Sequence, residues 1–248
     1  LRSGKPVDME GKKLGDADVG FIVVILSHAG TGTGPLIDDL NLSHNQITAK
    51  GAAELAKAIS NGSMRVRRLR LASNRRLGRK GLVVLSEALI ARECPLELLD
   101  VSDTSACGLH TDGSGKYSAE GIIHLCKWAS TPGNSLSTLM LGSNQLCGVN
   151  WDGRGTHNLA AVEALCAALQ APACRFSHLG LHDNRWGNRA ALLLAEAIKT
   201  RPEISIDLRW NDVGAKSRSA LLDAAPGVVL DPQRLRCSVT VSKHTNSI

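Results

Sequence analysis

The stretch IDDLNLSHNQI, residues 37–47, sets Leu40 and Leu42 two apart, then Asn45, then Ile47. Two apolar residues at that spacing put both side chains on one face of a short strand. The asparagine falls where the chain leaves the strand, and Ile47 turns back toward the same interior. Soon after, GAAELAKAI (51–59) reads as a helix whose Ala52, Leu55 and Ile59 share a face. One strand and one helix cannot cover their own apolar sides, so the rest of the chain is searched for copies that do.

Six copies are found. Val7 and Met9 open a degenerate one, followed by Leu14 and a helical run over 19–26. The pair Leu40 and Leu42 recurs as Leu69 and Leu71, Leu99 and Val101, Leu139 and Leu141, Leu179 and Leu181, and Ile206 and Leu208. The asparagine recurs as Asn74, Asn144, Asn184 and Asn211, while Thr104 and Lys12 take its place in two units. Helices are expected over 51–59, 81–89, 121–129, 161–169, 190–198 and 217–225, anchored by Leu55, Leu85, Leu125, Leu165, Leu194 and Leu221. Asn45, Asn74, Asn144, Asn184 and Asn211 are expected to form a ladder, their amides bonding unpaired backbone groups of the neighbouring turn. Thr104 offers fewer bonds, which predicts local irregularity there.

Seven units in register resemble leucine-rich repeats of the long, ribonuclease-inhibitor-like kind. The resemblance covers roughly 6–230, with units starting near 6, 36, 66, 96, 136, 176 and 204, and leaves 231–248 as a C-terminal cap or tail. It implies an α/β leucine-rich-repeat solenoid, with a curved parallel sheet on the concave side and helices on the convex side. The narrow spacing of parallel strands, about 4.8 Å, against wider helices gives the same bend. Residues 227–230 could add a last strand. The strand of the first unit has nothing before it, and repeat stacks need polar caps. Upstream residues, another chain or residues 1–4 are therefore expected over that edge.

Composition limits the function. Of 248 residues, 43% are hydrophobic and 3% aromatic, so the core must be aliphatic. The longest apolar run, FIVVIL at 21–26, is far too short to span a membrane. Seven scattered cysteines without a CxxC pair read as small apolar residues in a reducing, cytoplasmic setting. A net charge of +6 permits an acidic partner. The Gly-rich loop HAGTGTGP, 28–35, lacks the GK[ST] that a phosphate loop needs. No cofactor or metal site is expected.

Alternation along the strands supplies the candidate surface. The outward columns read Asp39, Arg68, Leu98, Thr138, His178, Ser205, then Asn41, Arg70, Asp100, Met140, Gly180, Asp207, then Ser43, Ala72, Ser102, Gly142, His182, Arg209. A fourth reads His44, Ser73, Asp103, Ser143, Asp183, Trp210. Arg68 and Arg70 beside Asp39 and Asp100 make either a solvated charge ladder or an anion site. The centre, with Leu98 and Met140, is less charged and suits a partner segment. Trp210 is either an anchor for that partner or a cover for the last turn. His178, His182 and Asp183 are placed to meet, although no Ser or Cys nucleophile accompanies them. The fourth and fifth units are each eleven residues longer than the second, between strand and helix. These insertions, 105–118 and 145–157, carry His110, Tyr117 and Trp151 and either bind a partner or roof the edge. Arg75 and Arg76 lie in the basic stretch 65–80, which lacks the interleaved aromatics of a nucleic-acid surface.

The expected function is a non-enzymatic protein-interaction scaffold or a structural subunit of an assembly. Two alternatives stand beside it. One is a regulator of a small GTPase, since the Ran GTPase-activating proteins share this repeat type. The other is a basic subunit on RNA or the ribosome.

Overall fold

The computed structural model describes residues 5–27, 36–91, 94–110, 114–150 and 152–233. The loop 28–35, Trp151 and the tail from 234 therefore lie outside the described residues. Strands and helices alternate: β1 (Val7–Asp8), α1 (Asp16–Ser27), β2 (Leu36–Asn41), α2 (Ala49–Ser60), β3 (Arg65–Arg70), α3 (Gly78–Ala91), β4 (Leu98–Asp100) and α4 (Glu120–Ala129). They continue as β5 (Thr138–Met140), α5 (Ala160–Gln170), β6 (His178–Gly180), α6 (Asn188–Ile198), β7 (Ser205–Asp207), α7 (Ala215–Ala224) and β8 (Val228–Val229). The eight strands among the described residues are parallel and neighbour one another in chain order. Leu40 pairs with Leu69, then Leu99, Leu139, Leu179 and Ile206, so the repeated leucines stack in one column. This is the α/β leucine-rich-repeat solenoid.

The helix anchors Leu55, Leu85, Leu125, Leu165, Leu194 and Leu221 meet that column from the other layer, each at most 1% exposed. Burial of each such leucine contributes about 1.5–3 kcal/mol. Several helices start one to three residues earlier than the apolar period indicates. At α2 the cause is visible: Thr48 caps the helix with its own hydroxyl, which apolar spacing alone does not register.

The ladder is present and buried. Asn184 Nδ2 donates to the carbonyls of Leu141 at 2.8 Å, Leu181 at 3.2 Å and His182 at 3.1 Å. Its Oδ1 accepts from the N–H groups of Asn144 at 2.9 Å and Leu146 at 3.3 Å in the preceding unit. Asn144 and Asn211 repeat the pattern. Thr104 does interrupt it: its Oγ1 lies 2.8 Å from the Val101 carbonyl and reaches no carbonyl of the third unit. The N–H of Gly78 donates instead to the Thr104 carbonyl at 2.9 Å. Gly78 has φ +62°, a left-handed value that glycine adopts without strain.

The fourth outward column is not strand. His44, Ser73, Asp103, Ser143, Asp183 and Trp210 all have φ between +51° and +60°. Each forms the left-handed corner by which the chain leaves the sheet, and the ladder asparagine follows immediately, or Thr104 after Asp103. The strands end three residues before these corners, at Asn41, Arg70, Asp100, Met140, Gly180 and Asp207, and nothing in the apolar pattern marks where the chain turns.

The two ends of the stack differ. Val7, Met9 and Leu14 are only partly buried at the first unit, whereas Leu40, Leu42 and Ile47 one unit in are fully buried. At the other end β8 pairs with β7, and Val228 and Leu230 close the core at 5% and 4% exposure.

Candidate protein-interaction surface

The helix-free face of the sheet, the concave side of such a solenoid, carries charge at both ends and little in the middle. At β2 and β3, Arg70 Nε and Nη2 each lie 3.1 Å from an oxygen of Asp39. Arg68 lies 3.4 Å from Asp38, and Arg75 lies 2.9 Å from Asp103 just beyond the strands. The arginine-rich unit is thus largely paired with the acidic residues of its neighbours. Among the described residues Arg76 makes no ion pair, and Asp100 spends one oxygen on the N–H of Ser102.

In the centre the side chains lie over glycines. A Cβ on Gly180 would come within 2.4 Å of the Met140 methyl, so that thioether rests on the Gly180 backbone. A Cβ on Gly142 would come within 2.2 Å of the His182 ring, so the imidazole rests there. Leu98, Thr138 and His178 are half-buried alongside. The result is a low, weakly charged patch on a backbone fixed by the ladder.

His178, His182 and Asp183, expected to meet, each have a partner on a neighbouring unit. His178 Nδ1 lies 3.2 Å from Ser205 Oγ, and His182 Nδ1 lies 3.8 Å from Asp207. Asp183 accepts from Ser143 Oγ at 3.0 Å. Asp183 itself stands at the corner, with φ +53°. Arg209 holds Asp207 through bonds of 2.9 and 2.7 Å. Burial pushes the Asp207 carboxyl up, but those bonds outweigh it and leave the group below its ordinary value. Trp210 stands at the far end, 51% exposed, with φ +60° and its N–H donating to the Pro232 carbonyl.

The two insertions are copies of one loop. CGLHTDGSG at 107–115 matches CGVNWDGRG at 147–155. Leu109 bridges Gly115, and Val149 bridges Gly155, both antiparallel. Ser118 N–H donates to the Cys107 carbonyl at 2.9 Å, and Asn158 N–H to the Cys147 carbonyl at 3.0 Å. The period of forty residues between Cys107 and Cys147 was the available signal, obscured because the loops lie outside the leucine frame. Tyr117 does not project from the first loop as a free anchor. It is half-buried, and its hydroxyl donates to the Leu146 carbonyl of the second loop at 3.1 Å. His110 is exposed, with Nδ1 at 3.1 Å from Ser105 Oγ. A cleft of about 580 Å³ remains between the return arms, lined by Arg79, Lys116, Tyr117, Glu120, His124 and Asn158. The loops therefore both roof the edge and leave a recess in it.

Sequence reasoning also missed Gln233. Its Nε2 donates to the Leu208 carbonyl and its Oε1 accepts from the Val213 N–H. These are two of the bonds an asparagine of an eighth unit would make.

Comparison with known proteins agrees with this architecture. A family model described as Leucine Rich repeat matches residues 37–56. The chain is 30% identical over 156 residues to the ribonuclease inhibitor of Sus scrofa, which covers 56% of this chain and 33% of that protein. In both comparisons the chain is similar to leucine-rich repeat proteins, whose architecture its fold has. It spans about a third of the length of that relative. Among the described residues no helix is long and apolar enough to cross a membrane.

Proposed function

We propose that this protein is a non-enzymatic interaction scaffold that binds another protein through the helix-free face of its sheet and the two edge loops. The observation that carries this is the central patch of Leu98, Met140, His178 and His182. It is weakly charged, partly exposed and built on a backbone tied by the asparagine ladder. Rigid presentation limits the ordering that binding requires, and apolar centres with polar rims are where interface energy concentrates. Trp210, Arg209 and Asp207 form one rim, Arg68, Arg70 and Asp100 the other, with His110 on the first loop. The relative is named for inhibiting a ribonuclease, which is consistent with a protein target.

The pairing of Arg68, Arg70 and Arg75 with carboxylates weighs against RNA, because a phosphate would have to displace them. No feature of the site favours the GTPase-regulator reading over a general scaffold. The test is affinity purification with mass spectrometry, comparing the natural protein with Met140→Arg and Trp210→Ala. A stoichiometric partner lost by both variants, with their melting curves unchanged, supports the proposal. A partner retained by both overturns it.

A further inference from the structure

Three members of one outward column make the same bond where their strands end. Asn41 Oδ1 accepts from the N–H of Ser43 at 3.1 Å, Asp100 Oδ1 from that of Ser102 at 3.0 Å, and Asp207 Oδ1 from that of Arg209 at 3.0 Å. They differ in what the other atom of the side chain does. Asn41 Nδ2 donates to Glu10 at 2.9 Å, and Asp207 Oδ2 accepts from Arg209 Nη2 at 2.7 Å. Asp100 has Ser102 where Asp207 has Arg209, and among the described residues its Oδ2 makes neither a hydrogen bond nor an ion pair. Arg70, in register with it on β3, is turned to Asp39 instead, with Nε and Nη2 each 3.1 Å from one oxygen.

The charged network on that side closes without Asp100. Asp38 pairs with Arg67 and Arg68, Asp39 with Arg70, and Asp103 with Arg75. On the other side lies the weakly charged patch. Across β4, β5 and β6 the first three outward columns hold no Lys, Arg or Glu, and Asp100 is their one carboxylate. The two histidines there face Ser205 and Asp207 of β7. Leu98 lies two residues before Asp100 on the same face, and Met140 lies beside it in register, both half-buried. The Met140 thioether leans away from it, over Gly180.

An open carboxylate oxygen thus stands between apolar side chains. Once a partner excludes water from such a group, its attraction for a cation exceeds that of an exposed pair. The group that fits it carries its charge on an apolar stem, so that the stem lies on Leu98 and Met140 while the charge reaches the oxygen. Lysine and arginine have that form.

We propose that Asp100 sets the specificity of the helix-free face by receiving a lysine or arginine of the partner, whose stem packs against Leu98 and Met140. This rests on the scaffold reading above and adds to it the charge that the partner presents.

The test selects binders to the full chain from a random peptide library and measures the synthesised peptides by fluorescence anisotropy. Asp100→Asn removes the charge and keeps the bond to the Ser102 N–H, as Asn41 does at the same place in its own unit. Selected peptides should carry a lysine or arginine beside apolar residues. Asp100→Asn in the protein, or glutamine for that basic residue in the peptide, should each weaken binding about tenfold, and both together no further than either alone. Asp100→Lys should reverse the preference toward glutamate. Peptides that Met140→Arg releases but that bind Asp100→Asn as they bind the natural chain overturn the proposal and leave the scaffold reading standing. Peptides indifferent to Met140→Arg as well count against both. A library that yields no binder overturns the proposal, and the scaffold reading then rests on capture of a folded protein.

Discussion

Gln233 donates from Nε2 to the carbonyl of Leu208 at 2.9 Å, while its Oε1 accepts from the N–H of Val213 at 3.1 Å. Asn211 stands in the same relation to Leu181 and Trp186 one unit earlier, at 3.0 and 3.0 Å. A residue from an irregular segment thus ends the ladder with the chemistry of its interior. The longer glutamine side chain reaches these groups from a chain path that no longer follows the repeat.

Gln233→Ala should therefore destabilise the fold by about 1–2 kcal/mol, because the Leu208 carbonyl keeps its bond to Asn211 while the Val213 N–H loses its partner. Asn144→Ala should cost more, about 2–5 kcal/mol, since it strands the N–H groups of Thr104 and Ala106 together. Urea denaturation of both variants measures the difference. Equal costs would mean that the terminal bond matters as much as an interior one.

The leucine frame was legible because burial imposes it in every unit. Leu40, Leu69, Leu99, Leu139 and Leu179 are all fully buried, and their spacing alone gives the strand order. The corners were not legible. His44, Ser73, Asp103, Ser143, Asp183 and Trp210 share a backbone conformation and no chemistry, so the sequence carries no mark of it. Of the candidate surface, the columns were readable from alternation. The seating of Met140 and His182 over glycines was not, because it depends on an absent Cβ in the neighbouring strand.

The duplicated edge loops depend on their glycines. Gly155 has φ +119°, and a Cβ there would lie 2.3 Å from the Gly148 carbonyl oxygen, a backbone atom that cannot yield cheaply. Gly155→Ala should cost about 1–3 kcal/mol. The loss should be local: hydrogen exchange at the Asn150 and Asn158 amides should accelerate while the amides of β5 stay protected. Unchanged exchange at both would show that the loop accommodates the methyl group.

Asp16 ties the first unit to the second. Its Oδ1 accepts from the N–H groups of Thr48 at 2.8 Å and Gly51 at 2.9 Å, and its Oδ2 accepts from the Thr48 hydroxyl at 2.7 Å. Burial pushes this carboxyl up, but the bonds from Thr48 and Gly51 prevail and hold it below its ordinary value. A carboxyl lowered in the folded state stabilises the fold above its unfolded pKa, about 3.9, and loses that contribution as pH falls through the folded value. Asp16→Ala should be about 1 kcal/mol less stable at neutral pH, as for loss of a helix cap. The gap should close below about pH 4. Denaturation curves across acid pH measure it, and a gap independent of pH would remove the carboxylate from the account.

The thiols should be silent in the native protein. Cys94, Cys107, Cys126, Cys147, Cys166 and Cys174 are buried. Burial, with a smaller contribution from the charge of Asp212, pushes the Cys147 thiol up to about 12. Burial and Glu163 do the same for Cys166, and Cys107 and Cys126 move in the same direction for the same first reason. A thiol that is neither ionised nor reachable does not attack a disulfide reagent. At mildly alkaline pH a chromogenic disulfide should titrate at most one thiol in the folded chain, that of Cys237, and all seven after unfolding. Fast reaction of a second native thiol would mean that the helix layer opens over Cys126 and Cys166, or the edge loops over Cys107 and Cys147. Mass spectrometry of the labelled peptides would show which of the two packed layers had given way.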